Sequence, residues 1–201
     1  MKFVLATANP GKIKEMNEIL SGLEVQVVTR DELGIKITIP ETGTTFIENA
    51  TLKAKKICEV AGLPAIADDS GLIVDALGGA PGVYSSSYGG EELSAIERCR
   101  YLLKMMENTE LRAAKFVCSI VCAFPGGSLL TAYGDCIGEI AAEPRGPGGF
   151  GYDPVFLVEG TGRTMAELTA EEKNRISHRG KALREFAKLL PQILRKNGLV
   201  F

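Results

Sequence analysis

The chain has 201 residues, 45% hydrophobic and 24% charged, with 23 basic against 25 acidic side chains and a formal charge of −2. That length suits one large domain or two small ones, and it buries a core without help from metals or disulfides. The charge content speaks against a disordered chain and the near-neutral balance against a genomic DNA track, which leaves room for a local basic pocket that takes a small phosphorylated ligand.

The opening MKFVLATANPGK has four apolar residues, 3–6, before Thr7. A secretory signal needs about 7–15, so this segment predicts a strand over Lys2–Ala6 and a cytoplasmic protein. The turn Thr7-Ala8-Asn9-Pro10-Gly11 follows. Ile13, Met16 and Leu20 then recur at helical spacing, and Val25–Val28 reads as a second strand. Thr45 and Glu48 form a capping box for a helix whose apolar face is Ile47, Ala50, Ala54, Ile57, Cys58 and Ala61. Gly62 and Pro64 end it. Pro64–Ala67 is a brief strand that runs into Asp68-Asp69-Ser70-Gly71, with Leu72–Val74 extended.

A glycine-, serine- and tyrosine-rich loop over 78–90 leads to a helix from about Leu93 to Met106. Strands Phe116–Phe124 and Leu129–Tyr133 flank the turn Pro125–Ser128, and Pro154–Val158 follows the loop 145–153. Thr169 and Glu172 repeat the capping box before an amphipathic helix that carries Leu183, Phe186, Leu190 and Leu194. No apolar run spans a bilayer, since Ser119 interrupts the stretch 116–123. The five cysteines, Cys58, Cys99, Cys118, Cys122 and Cys136, are odd in number and lack C-x-x-C spacing, so neither a disulfide framework nor a thiolate zinc site is expected. Strands mixed with helices from end to end predict one α/β unit over 1–201.

Four constellations carry chemistry. The Thr7–Lys12 turn aims backbone N–H groups and a helix dipole at whatever lies above it, and Lys12 either adds a charge for an anion or is a surface lysine. It is not a Walker A loop, because Ile13 follows Gly11-Lys12. Lys53, beside Asn49 on the flank of its helix, either snorkels or points into a cleft. Asp68 and Asp69 alternate in direction on a strand, so one suits a hard cation such as Mg²⁺ while the other orients a water or a lysine; an acidic turn is the alternative. Gly146, Gly148 and Gly151 match G-x-G-x-x-G, but a strand rather than a helix comes next, which rejects a dinucleotide fold. That loop presents Phe150 and Asp153. Within 173–181 stand four cations and the single histidine, His178, which is too few for a histidine metal site; a solvated basic stretch is the default.

The segments ATANPGKIKE, ETGTTFIENATLKAKK, LPAIADDSGLIVDALGGAPGVYS, GPGGFGYDPVF and AELTAEEKNRISHRGKAL, in this order, resemble the inosine triphosphate pyrophosphatase family, most closely its bacterial dITP/XTP branch. The resemblance implies a two-lobed α/β fold with a long mixed central sheet, a nucleotide cleft between the lobes, Mg²⁺ dependence and a homodimer. Exposed-looking tyrosines in the 84–88 loop agree with the last. It also implies hydrolysis of ITP, dITP or XTP to the monophosphate and pyrophosphate. By similarity, Thr7, Ala8, Asn9, Pro10, Gly11, Lys12 and Lys53 hold the triphosphate, while Glu41 and Asp69 hold Mg²⁺. Asp69 takes the proton of the attacking water with Asp68 in support, and Ser70, Phe150, Gly151, Tyr152, Asp153, Lys173, His178 and Arg179 contact nucleotide.

Neutralising a tetra-anion asks for such lysines, a helix N-terminus and a metal. A C6 oxygen on the base suits donors from His178 or Arg179, whereas the amino group of adenine does not. A pyrophosphatase for modified pyrimidines and a nucleotide-binding regulatory module are the alternatives. A substrate panel separates the first, and pyrophosphate release from ITP the second.

Overall fold

The computed structural model describes residues 1–22, 25–196 and 198. Six strands form one mixed sheet of order β2-β1-β3-β4-β5-β6, with β1 Lys2–Leu5, β2 Gln26–Thr29, β3 Ala65–Val74, β4 Ala113–Ala123, β5 Leu129–Ile140 and β6 Phe156–Val158. β1 runs parallel to β2 and β3, and β5 antiparallel to β6. The helices are α1 Pro10–Leu20, α2 Phe46–Ala61, α3 Ala95–Met105, α4 Ala170–Ile176 and α5 His178–Lys196. No helix among the described residues is long and apolar enough to cross a membrane.

The chain divides into two compact units. The first comprises 1–69, 118–134 and 179–201, the second 70–117 and 135–178. In the first unit the sheet is buried on both faces, as parallel strands generally are. Phe3, Leu5, Ile66, Cys118 and Ile120 pack with Met16 and Leu20 of α1 and with Leu183, Phe186, Leu190 and Leu194 of α5. Val4, Ala6, Ala65, Ala67 and Val121 face the other way, onto Ala50, Ala54 and Ile57 of α2. Alanine meeting alanine across that second interface lets α2 lie close to the strands. In the second unit Leu72, Leu102, Phe116, Tyr152 and Phe156 gather around Cys99 and Cys136. All five cysteines are buried thiols outside any disulfide.

Several elements differ from their sequence-based expectation. β3 is one strand of ten residues, and Asp68-Asp69 lie inside it rather than closing it; both carboxylates meet cations there, so their charge does not break the strand. β5 runs on to Ile140 because its polar positions Thr131, Asp135 and Glu139 sit between buried Ala132, Cys136 and Ile140. α3 starts at Ala95 behind a Ser94–Glu97 capping box. Asp153–Val155 forms a short 3₁₀ turn, which leaves Phe156–Val158 as strand. On α2 Ile47 is 45% exposed while Asn49 is buried. The 173–181 stretch is not a solvated run, because Lys173, His178 and Arg179 are buried.

Candidate active site

The pleat of β3 sends its two aspartates apart. Asp68 follows Ile66 onto the α1/α5 face, and its Oδ2 accepts from Lys12 Nζ at 2.8 Å and from Arg179 Nε and Nη2 at 3.2 and 3.1 Å. Arg179 donates its Nη1 to Glu15 Oε2, one turn after Lys12 on α1. Four charges thus close on one another, with Arg179 only 1% exposed. Burial opposes ionisation of Asp68, but the charges of Lys12, Arg179 and Lys53 prevail and hold its carboxyl well below the usual carboxylate range.

The turn that delivers Lys12 is organised by its own side chains. Thr7 Oγ1 accepts from the Asn9 N–H at 3.1 Å, and Asn9 Oδ1 caps α1 by accepting from the N–H groups of Gly11 and Lys12 at 2.9 and 3.2 Å. Pro10 opens the helix, where a missing N–H costs nothing. Ala8, Asn9 and Pro10 are exposed.

Asp69 follows Ala65 and Ala67 onto the α2 face. Its Oδ1 accepts from Lys53 Nζ at 2.9 Å and its Oδ2 from Asn49 Nδ2 at 3.3 Å. Lys53 Nζ also lies 3.4 Å from Glu41 Oε1. Burial raises the Asp69 carboxyl above its ordinary value and Glu41 adds to the rise, against the pull of Lys53 and Lys12. For Lys53 burial works against the charge, yet Asp69, Asp68 and Glu41 outweigh it and push the ammonium up. One aspartate is therefore locked as an anion, and its neighbour is the stronger base.

Glu41 and Asp69 present carboxylate oxygens to a single cationic point, the Lys53 ammonium. Two hard oxygen donors converging in this way suit Mg²⁺, which takes one or two carboxylates and completes its shell with water and phosphate oxygens. Among the described residues no three His, Cys, Asp or Glu side chains gather into a cage.

The second unit holds the other expected residues. Gly149 has φ +74°, and a Cβ there would lie 2.1 Å from Asp153 Oδ2, so only glycine leaves room for that carboxylate. Asp153 Oδ2 accepts from the Phe150 N–H at 2.8 Å and from Lys173 Nζ at 2.6 Å. The same ammonium lies 4.5 Å from the centre of the Phe150 ring, a cation–π contact. The Gly151 carbonyl accepts from the Cys99 thiol at 3.3 Å, and the Tyr152 hydroxyl donates to the Ser85 carbonyl at 3.0 Å. His178 is buried and stacks on Phe116, with centroids 4.7 Å apart and planes 14° off parallel. Ser70, half-buried, follows Asp69 on β3.

Of the expected residues, Lys12, Asp68 and Arg179 come together, as do Glu41, Lys53 and Asp69, and as do Phe150, Asp153 and Lys173. The sequence reading leaves out Glu15 and gives Asn49 a place beside Lys53 but no role. Each stands one helical turn from an expected lysine, Lys12 or Lys53, and that spacing is the signal that marks them.

A mixed α/β sheet thus carries a lysine–aspartate contact on each face of one strand, β3. The chain belongs to the Ham1 family, whose model matches residues 3–189. The dITP/XTP pyrophosphatase of Aquifex aeolicus is 50% identical over 199 residues, covering 94% of this chain and 96% of that protein. That of Bacillus subtilis is 48% identical over 190 residues, covering 93% and 96%. A solved structure of a HAM1 protein from Coxiella burnetii superimposes with a TM-score of 0.88 at 44% identity, covering 96% of this chain and 99% of that one.

Proposed function

We propose that this protein is a nucleoside triphosphate pyrophosphatase that hydrolyses the non-canonical purine nucleotides dITP, ITP and XTP to the monophosphate and pyrophosphate. The observation that carries the reading is the division of labour on β3. Asp68 is held ionised by Lys12 and Arg179, while Asp69 is a buried carboxylate of raised basicity beside Lys53 and Glu41. A simple binding module has no need of a basic carboxylate next to its anion. Relatives at about half identity bear the name dITP/XTP pyrophosphatase.

In this mechanism Lys12 and Lys53 neutralise the triphosphate as negative charge moves onto the departing pyrophosphate. Asp69 accepts a proton from the water that attacks the α-phosphorus; the new P–O bond forms as the bond to the β-phosphate oxygen breaks. Asp68 acts through Lys12, whose ammonium it fixes. Arg179, with its guanidinium on Asp68 and Glu15, acts by holding Asp68. A divalent cation held by Glu41 and Asp69, expected to be Mg²⁺, supplies further positive charge to the phosphate oxygens. Phe150, Asp153, Lys173 and His178 are assigned to the nucleoside. The chain is expected to act as a cytoplasmic homodimer; Tyr84 is 69% exposed, and sedimentation at micromolar concentration tests the dimer.

The deciding experiment follows pyrophosphate and nucleoside monophosphate from dITP, XTP, ITP, dATP, dGTP and a modified pyrimidine triphosphate, with Mg²⁺ or with EDTA. Equimolar monophosphate and pyrophosphate from the first three alone, abolished by EDTA, is the expected pattern. Release of orthophosphate, or indifference to the base, would sink the assignment.

A further inference from the structure

The start of α2 is pinned by side chains from its own first turn. Glu48 Oε2 accepts from the Thr44 and Thr45 N–H groups at 2.7 and 3.1 Å and from the Thr44 hydroxyl at 3.0 Å. Next to Glu48 stands Asn49, a polar side chain only 1% exposed among the alanines that face the sheet. Its Oδ1 accepts from the Gly43 N–H at 2.8 Å, and its Nδ2 donates to Asp69 Oδ2 at 3.3 Å. The partners settle which end of the amide is which, because a peptide N–H only donates and a carboxylate only accepts. One planar group therefore ties the strand residue Asp69 to the chain just after Glu41. The approach is tight: a Cβ on Gly43 would lie 2.7 Å from Asn49 Oδ1, 2.7 Å from Glu48 Cβ and 3.0 Å from the Asn49 nitrogen.

We infer that Asn49 is the positioning residue that makes Glu41 and Asp69 one cation-binding pair, with Gly43 as the contact through which it holds the Glu41 segment. The inference rests on the reading of those two carboxylates as the divalent-cation ligands. Lys53 fixes one oxygen of Asp69 and Asn49 the other, so the carboxylate cannot pivot about its lysine. Without the amide, Asp69 turns on that single contact and the Gly43 N–H loses its acceptor. An apolar side chain of the same shape would pack as well beside Ala50 and Ala54, but it would make neither bond. Partners that orient metal ligands in this way are worth about 10–100-fold in metal affinity or activity.

Three variants test it: Asn49→Leu, which keeps the shape and removes both bonds; Asn49→Asp, which keeps an acceptor for Gly43 but turns a carboxylate on Asp69; and Gly43→Ala, which forces the two segments apart without substituting either ligand residue. The first readout is Mn²⁺ affinity of the nucleotide-free protein, from the electron paramagnetic resonance signal of free Mn²⁺. All three should weaken it by about 10–100-fold. The second is the dITP rate: kcat should fall while KM stays near wild type, and raised Mg²⁺ should restore much of the Gly43→Ala rate, as a general loss of structure would not allow.

Gly43 is half-buried, with exposed residues on either side of it, so Gly43→Ala decides the matter if the Asn49 variants do not fold. Wild-type Mn²⁺ affinity in folded Gly43→Ala or Asn49→Leu overturns the inference. So does a wild-type protein that cleaves dITP but shows no Mn²⁺ binding without nucleotide. A wild type that binds Mn²⁺ through this pair and leaves dITP intact would instead overturn the proposed function alone.

Discussion

Asp68 sends its carboxylate to Lys12 and Arg179 on one face of β3, and Asp69 sends its own to Lys53 and Asn49 on the opposite face. Adjacent like charges would repel if they shared a face. The two-residue period of the strand separates them and gives each its own lysine from its own helix. The environments then diverge: three cations hold Asp68 ionised, whereas burial and Glu41 raise Asp69. Two neighbouring carboxylates thereby differ in basicity, and the proposed acid–base roles rest on that separation.

That divergence predicts opposite consequences for the same substitution. Asp68→Asn leaves the buried Arg179 guanidinium short of its charge, and removing one partner of a buried pair costs about 3–5 kcal/mol. A melt lowered by roughly 10 °C is expected for a chain of this size. Asp69→Asn leaves Lys53 with Glu41 and should melt close to wild type. Its kcat should fall by about 10²–10⁴-fold from loss of the general base, with nucleotide binding largely retained. Thermal melts beside kcat at saturating Mg²⁺ read both; near-normal turnover in Asp69→Asn would defeat the mechanism.

The two lysines should separate less cleanly. Both are mostly buried beside carboxylates, with side chains 16% and 12% exposed. Lys12→Ala and Lys53→Ala should each lower kcat/KM for dITP by about 10–100-fold, the value of a charged hydrogen bond. Lys53→Ala also leaves Glu41 and Asp69 without their shared cation, so its rate should depend more steeply on Mg²⁺. Titrating Mg²⁺ at fixed dITP measures the difference, and an unchanged kcat/KM would return either lysine to a structural role.

The order of elements was legible because periodicity and caps are local. The Thr45–Glu48 and Thr169–Glu172 boxes stand where their spacing predicts, and Ala50, Ala54 and Ile57 face the sheet. What escaped was set by partners far along the chain. Asp68-Asp69 reads locally as a strand end, and only Lys12, Lys53 and Arg179 make it strand interior. The basic run at 173–181 reads as solvated, since nothing local reveals that Asp153 takes Lys173 or that Phe116 covers His178. Asn49 passed as a flank residue because its acceptor role depends on a loop that folds back onto it. At the site, residue types were readable from the chain; which residue holds which was not.

The thiols give a prediction that turns on pH. Burial pushes Cys58 up, Cys99 to about 11, Cys118 to about 12, and Cys122 well above the ordinary range. In the unfolded chain these groups ionise near about 8.5, so the unfolded state sheds protons first. Stability should be unaffected by them below that pH and fall as pH rises above it. Ellman's reagent at pH 8 should label native protein slowly and release five equivalents in denaturant, and the urea midpoint should drop between pH 7.5 and 9.5. Rapid labelling of the native protein, or a midpoint flat across that range, would contradict the burial of these side chains.

His178 offers a test of base choice that leaves the phosphate machinery alone. The ring is buried against Phe116 and nearly parallel to it, so the stack fixes the plane in which its nitrogens lie. A donor held there suits the C6 oxygen of hypoxanthine or xanthine and meets the amino group of adenine donor to donor. A site built to hydrogen-bond one base rejects the other because a buried polar group is left unpaired. His178→Phe keeps the stack and removes both nitrogens. It should lower kcat/KM for dITP by about 10–100-fold, the value of one or two hydrogen bonds in a buried site, and leave dATP hydrolysis, already poor, nearly unchanged. The ratio of the two substrates should therefore collapse while the Mg²⁺ dependence stays as in wild type. Measured side by side on one preparation, equal losses for both bases would mean that His178 supports the fold of its unit and takes no part in reading the base.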